Sequence, residues 1–397
     1  MMKKILLTII AGLALQIATP AQTNLTFLYI NGSNNNDTKM KDWYIKGVNK
    51  LHPVMKKKFE KNSEIKKWSK ENNLVINPTP QIFFWGYESK TDLDFVKDRL
   101  NISKAFSSIL AYEIRSLLTQ FMHDAIWVQK THNMLPILDN LNDTVKAQAD
   151  NGQKVILYGY SAGSFVTYQY LLYKLPYIKM EELFTAIEKD ESTLELVKQN
   201  PRKSTCLSAL SHNKGGIGTI SNTGNLILNQ NKEELKTNYL NMDEATEKYC
   251  APEGYVKGVV NFASPIPLFY SDLGDKNYDF NHYNKRMFKY VLENGIYFLT
   301  VNFREDPLGF PSNRNLTHQQ LEERIGIEIE NPTGVVYDYS SVWSKRPAFL
   351  AHTSYWSARG TFANGVVKSF VNGTKFHYNK EYQEKVLKKK SKKSEVL

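Results

Sequence analysis

Residues 155–163 read Val155-Ile156-Leu157-Tyr158-Gly159-Tyr160-Ser161-Ala162-Gly163. A short β-rich run leads directly into a Gly-x-Ser-x-Gly string. Ser164 to Leu175 leads out of it as a helical pattern, stopped by Pro176. A strand, a tight turn and a helix in that order are the setting of a nucleophile elbow. The turn explains the glycines, because Cβ atoms at Gly159 and Gly163 would crowd the neighbouring helix and strand. It also predicts a strained backbone at Ser161, with Oγ lifted clear of the sheet edge. The helix N-terminus behind it supplies unpaired N–H groups and a positive field for a developing oxyanion.

Outward from the elbow, other apolar runs closed by turn formers read as strands buried on both faces. They are Leu25 to Ile30, ended by Asn31-Gly32-Ser33, and Gln81 to Trp85; further strands read over Gly258 to Ala263, Ile296 to Asn302 and Gly334 to Val342. Between them, Trp43 to Trp68 is Lys-rich and helical in character. Lys104 to Met122 puts Phe106, Ile109, Leu110, Leu117 and Phe121 on one face, and Met134 to Val145 repeats that spacing. Buried strands alternating with amphipathic helices specify an α/β fold, a mostly parallel sheet flanked by helices.

A serine hydroxyl needs a base, and the base needs an orienting acid. In an elbow fold these follow in the order Ser, acid, His. His212, His282, His318, His352 and His377 all follow Ser161. His352 lies soon after the last strand in the small-residue loop Leu350-Ala351-His352-Thr353-Ser354, and is the expected base. Asp306 follows the penultimate strand with Pro307 to stiffen its turn and is the favoured acid, with its neighbour Glu305 as the alternative. The Ala162 N–H is one expected oxyanion donor, and Gly32 or Ser33 in the early loop supplies the second.

Together these pieces resemble an α/β-hydrolase of the serine esterase and lipase type. Val260-Asn261-Phe262-Ala263-Ser264-Pro265 is similar to the segment that follows the elbow in class 3 (fungal-type) lipases. Asp306-Pro307-Leu308-Gly309-Phe310-Pro311 is similar to their acid-bearing loop. That class usually has His before the serine and Leu-Gly after it, where Tyr160 and Ala162 stand here. The resemblance implies a carboxylic ester hydrolase acting on an ester or lipid substrate without a cofactor. A peptidase or an acyltransferase would use the same triad. A non-catalytic surface- or lipid-binding protein on a hydrolase scaffold is the rival from another class.

The ends of the chain carry much of its charge. Lys and Arg exceed Asp and Glu by 51 to 40, a net +11. Lys3 and Lys4 account for two charges and the last ten residues for four, leaving +5 over residues 22–387. No basic stretch there is interleaved with aromatics, so nucleic acid is not an expected partner. Residues 1–21 have a basic start, 14 apolar-rich residues from Ile5 to Ala18, and small residues at the exit, the pattern of a secretory signal peptide. The expected location is therefore secreted or periplasmic, and the abundance of Lys and Asn fits an AT-rich bacterial genome. The basic tail at 388–397 is an expected peripheral contact with anionic membrane.

The remaining organisation is a hydrolase domain over 22–387 interrupted by an insertion at 177–255, read as a cap-like lid or as surface decoration. That insertion contains both cysteines. An oxidising compartment favours a Cys206–Cys250 disulfide, closing 43 residues and contributing about 3–4 kcal/mol on the loop-entropy model. Two unpaired structural thiols are the other possibility. No HExxH, paired CxxC or EF-hand string marks a metal site.

Overall fold

Leu25, Phe27 and Tyr29 alternate with Leu28 and Ile30 along the first strand, and the two sets join different hydrophobic clusters. Both faces of the strand are therefore covered, as its unbroken apolar run predicts. The structure is a computed structural model. It describes residues 22–33, 38–86, 89–99, 119, 123–124, 126–128, 131–174, 250–267, 282–311, 315–325 and 328–394.

Seven strands form one sheet: β1 (Thr23–Ile30), β2 (Leu74–Ile76), β3 (Gln81–Phe83), β4 (Lys154–Tyr160), β5 (Val256–Phe262), β6 (Tyr297–Phe303) and β7 (Val335–Val342). Their order is β2-β1-β4-β5-β6-β7, with β3 also pairing β1, and every described pairing is parallel. The α/β class expected from the sequence is thus the observed one. One face is covered by α1 (Thr38–Lys61), α2 (Ser63–Glu71) and α9 (Arg359–Tyr378). The other is covered by α4 (Thr131–Asp150), α5 (Ala162–Lys174) and α6 (His282–Glu293). The described helices also include α3 (Lys90–Arg99), α7 (His318–Ile325), α8 (Ala348–Ala351) and α10 (Lys380–Ser394).

From β1 the chain crosses to β2 and β3 on one side, then returns to β4 on the other. Connections leaving in opposite directions open a crevice beyond the carboxyl ends of β1 and β4, where open parallel sheets bind ligands. Gly32 and Ser161 sit at those two strand ends.

Several elements differ from the sequence reading. The helical stretch from Trp43 to Trp68 is two helices, because Asn62 caps α2 by accepting from the Ile65 N–H at 3.0 Å. Strand β2 has three residues, too few to produce a visible alternation. Helix α9 carries Gly360, Gly365 and Gly373, which hide its helical signal; Gly365 and Gly373 lie close against Val342, Val335 and Tyr337 of β7. The boundary expected at residue 388 falls inside α10, since a Lys-rich run continues a helix rather than ending it.

Residues 1–21 and 177–249, with the expected leader, most of the insertion and Cys206, lie outside the described residues, as do 101–118. Cys250 is described: it is buried, and its carbonyl accepts from Asn142 Nδ2 at 3.1 Å. No helix among the described residues is long and apolar enough to cross a membrane.

Candidate active site

Strand β4 ends at Tyr160, and Ser161 takes φ +52°, a left-handed conformation that a residue with a Cβ adopts only under constraint. The constraint comes from both sides. The Ser161 N–H donates to Phe262 O at 3.0 Å, and its carbonyl accepts from both Ser164 N–H and Ser164 Oγ. A Cβ at Gly159 would lie 2.7 Å from Gly163 O, and one at Gly163 would strike the carbonyl oxygens of Ile30 and Asn31. The crowding expected at both glycines is therefore present.

His352 and Asp306 meet this serine from distant parts of the chain. His352 Nε2 is 3.0 Å from Ser161 Oγ, and His352 Nδ1 is 3.0 Å and 3.2 Å from the two oxygens of Asp306. An ionised carboxylate only accepts, so Nδ1 carries the proton and Nε2 is left to accept from the serine. Asp306 is fully buried at its side chain, while the His352 side chain keeps 18% of its exposure. Ser161 and Asp306 follow β4 and β6, and His352 closes the short helix α8 beyond β7, so the fold brings together residues 46 and 191 positions apart.

The neighbouring acid is directed elsewhere. Glu305 accepts from the Ser344 and Lys345 N–H groups at 3.1 Å and 3.3 Å, and so braces the turn after β7. Of the two acids considered, Asp306 is the one on the histidine.

Ala162 is the first residue of α5, where N–H groups have no intrahelical acceptor. Gly32 packs directly over the serine: a Cβ there would lie 2.8 Å from Ser161 Cβ. Ser33 follows at the half-buried rim of the same loop. Ala162 and Gly32 thus adjoin Ser161, and Ser33 is the next residue along the early loop.

Three supporting residues were not singled out for these roles from the sequence. The Tyr355 hydroxyl donates to Asp306 Oδ2 at 2.9 Å and accepts from the Phe303 N–H at 2.8 Å. Burial first, and then the Asp306 charge, hold its phenol pKa far above the ordinary tyrosine range, so it remains a donor. The Tyr160 hydroxyl donates to the His352 carbonyl at 3.0 Å, tying the backbone of His352 to the turn at Ser161. Asn31 is fully buried; its Oδ1 accepts from the Trp85 N–H and its carbonyl from Trp85 Nε1, while its Nδ2 donates to Gly32 O. Only Asn31 offered a sequence signal, a polar residue held between a buried strand and a glycine.

Neither His318 nor His377 is placed at Ser161. His318 and His377 stack on each other 4.5 Å apart beside β7, and His212 lies outside the described residues. His282 begins α6. The His123–Asp124 pair is satisfied within its own region, where Ser89 Oγ donates to Asp124 at 3.0 Å. No cluster of potential metal ligands occurs among the described residues.

No protein-family model, curated protein or solved structure matches this chain. The chemistry must therefore be argued from the constellation itself. A hydroxyl, an imidazole and a buried carboxylate in series can move a proton from oxygen to nitrogen. Backbone N–H groups beside the hydroxyl can stabilise negative charge on an attacked carbonyl.

Proposed function

We propose that this protein is a serine hydrolase of the α/β-hydrolase type that cleaves carboxylic esters. The observation that carries the reading is the unbroken series Ser161 Oγ, His352 and Asp306, with contacts of 3.0 Å at a serine held at φ +52°. Ser161 Oγ attacks the acyl carbon as its proton passes to His352 Nε2, and Asp306 stabilises the resulting imidazolium. The oxyanion is held by the Ala162 N–H and the N–H of Gly32 or Ser33. His352 then protonates the departing alcohol, and a water activated by the same nitrogen releases the acid and restores the serine. The reaction so written draws on no cofactor.

The leader-like residues 1–21 support export, which would place the hydrolysis outside the bacterial cytoplasm. The test is labelling of the full chain with a fluorophosphonate probe. Labelling of the wild type that is lost in Ser161→Ala supports the enzyme. An unlabelled wild type favours the binding-protein alternative. A panel of esters, amides and acyl acceptors then separates ester hydrolysis from peptide cleavage or acyl transfer.

A further inference from the structure

The face of α1 carrying Trp43, Lys46, Gly47 and Lys50 looks across a cleft of about 470 Å³. Those positions recur at three- and four-residue spacing, which places them on one side of a helix. The facing wall comes from the segment around His352 and supplies Arg346, Leu350, Thr353 and Arg359. Trp356 forms the floor, in contact with α1 where Gly47 leaves room: a Cβ at Gly47 would lie 3.1 Å from the indole.

Two lysines and two arginines line this cleft, and no carboxylate does. None of the four forms an ion pair among the described residues. Arg359 is held in place by donating to Trp356 O at 2.8 Å, which leaves the rest of its guanidinium donors available. Four like charges converging on one cavity repel each other until an anion enters, and such a cleft concentrates anions from solution. The charge exceeds what one carboxylate would need. Guanidinium forks beside ammonium groups suit a multiply charged oxyanion. Trp43 is 39% exposed and Leu350 44% exposed at this site, giving apolar contact for whatever carries that anion. The volume lies within the range of small-molecule sites.

We propose that this cleft binds the phosphate of an organic ligand, with the indoles of Trp43 and Trp356 beside the ligand's apolar portion. The chemistry is common to a soluble phosphorylated compound and to a phospholipid headgroup. Ser161, His352 and Asp306 do not line this cleft, and its binding can be read without any hydrolysis.

Two probes distinguish the sources: inorganic pyrophosphate followed by titration calorimetry, and co-sedimentation with phosphatidylcholine vesicles with or without phosphatidic acid. The full chain is compared with Lys46→Gln/Lys50→Gln on one wall and Arg346→Gln on the other, all exposed side chains. Lys66→Gln/Lys70→Gln removes the same charge at a different cleft. The expected result is saturable binding of at least one probe, weakened about tenfold or more by each cleft variant and little by the control pair. Pyrophosphate binding identifies a soluble phosphate ligand, and binding only to phosphatidic acid vesicles identifies a headgroup. Binding of neither probe, or equal loss in the control pair, overturns the proposal.

Discussion

The hydroxyl of Tyr355 bridges the Asp306 carboxylate and the Phe303 N–H, at 2.9 Å and 2.8 Å. The acid is thereby fixed by the strand that precedes it and by the segment that carries the histidine. Tyr355→Phe strands a buried N–H and leaves Asp306 one donor short, at a stability cost of about 1–3 kcal/mol. On an activated ester, well below the melting temperature, kcat should fall about tenfold with KM nearly unchanged. A variant with normal kcat would show that Tyr355 serves stability alone.

Asp306→Asn and Glu305→Gln should separate cleanly. The amide at 306 can no longer hold the Nδ1 proton, so kcat should drop by about 10³–10⁴-fold in a folded protein. Glu305→Gln loses the charged acceptor of two N–H groups and should cost about 1 kcal/mol of stability while most activity remains. Steady-state kinetics beside thermal melts of the two variants provide the comparison.

Gly32→Ala places a methyl 2.8 Å from Ser161 Cβ and 2.9 Å from Tyr160 O. Backbone must move to relieve it, which displaces both the serine and the early-loop N–H groups. We expect kcat/KM to fall by about 10²-fold or more, the scale of one lost oxyanion donor. Fluorophosphonate labelling should slow in parallel. Undiminished labelling would argue against a donor in this loop.

His377 is held neutral by burial, its pKa lowered from 6.5 to about 4, and burial lowers that of its stacking partner His318 as well. Below pH 6.5 the unfolded chain takes up a proton that folded His377 refuses. Stability is therefore complete above about pH 6.5 and declines as the pH falls toward 4, by about 3 kcal/mol from His377. Denaturant melts across that window should show the decline, and His377→Gln should flatten it. Parallel slopes for the two proteins would rule out this histidine as the source.

The expected leader and Cys206–Cys250 bridge predict an exported protein that begins near Gln22. Its intact mass should then be two hydrogens below the reduced value, with Cys206 and Cys250 peptides linked in a non-reducing digest. Reduction should lower stability by about 3–4 kcal/mol on the loop-entropy model. Two alkylatable thiols in the denatured chain would contradict the bridge.

The elbow was legible because its demands are local. A strand, a turn that crowds any Cβ at Gly159 or Gly163, and a helix must all be written within some twenty consecutive residues. The buried strands were legible for a similar reason, since a strand covered on both faces has to be apolar throughout. Asp306 and His352 could be placed at strand ends by chain order, which narrowed the candidates without giving a distance.

What the order of residues could not settle was direction. Asp306 and Glu305 are adjacent and chemically alike, yet the turn after β6 sends one to His352 and the other to the Ser344 and Lys345 N–H groups. Tyr355 meets Asp306 across 49 positions, and Asn31 meets Trp85 across 54. Lys46 and Lys50 face Arg346 and Arg359 only because α1 packs beside the segment that carries His352. Sequence alone determined the longer buried strands, the serine and the residue types expected beside it, because periodicity and turn sterics act between near neighbours. Tertiary structure decided which carboxylate meets His352, what braces it and which cations line the cleft, because those depend on packing between segments that share no local pattern.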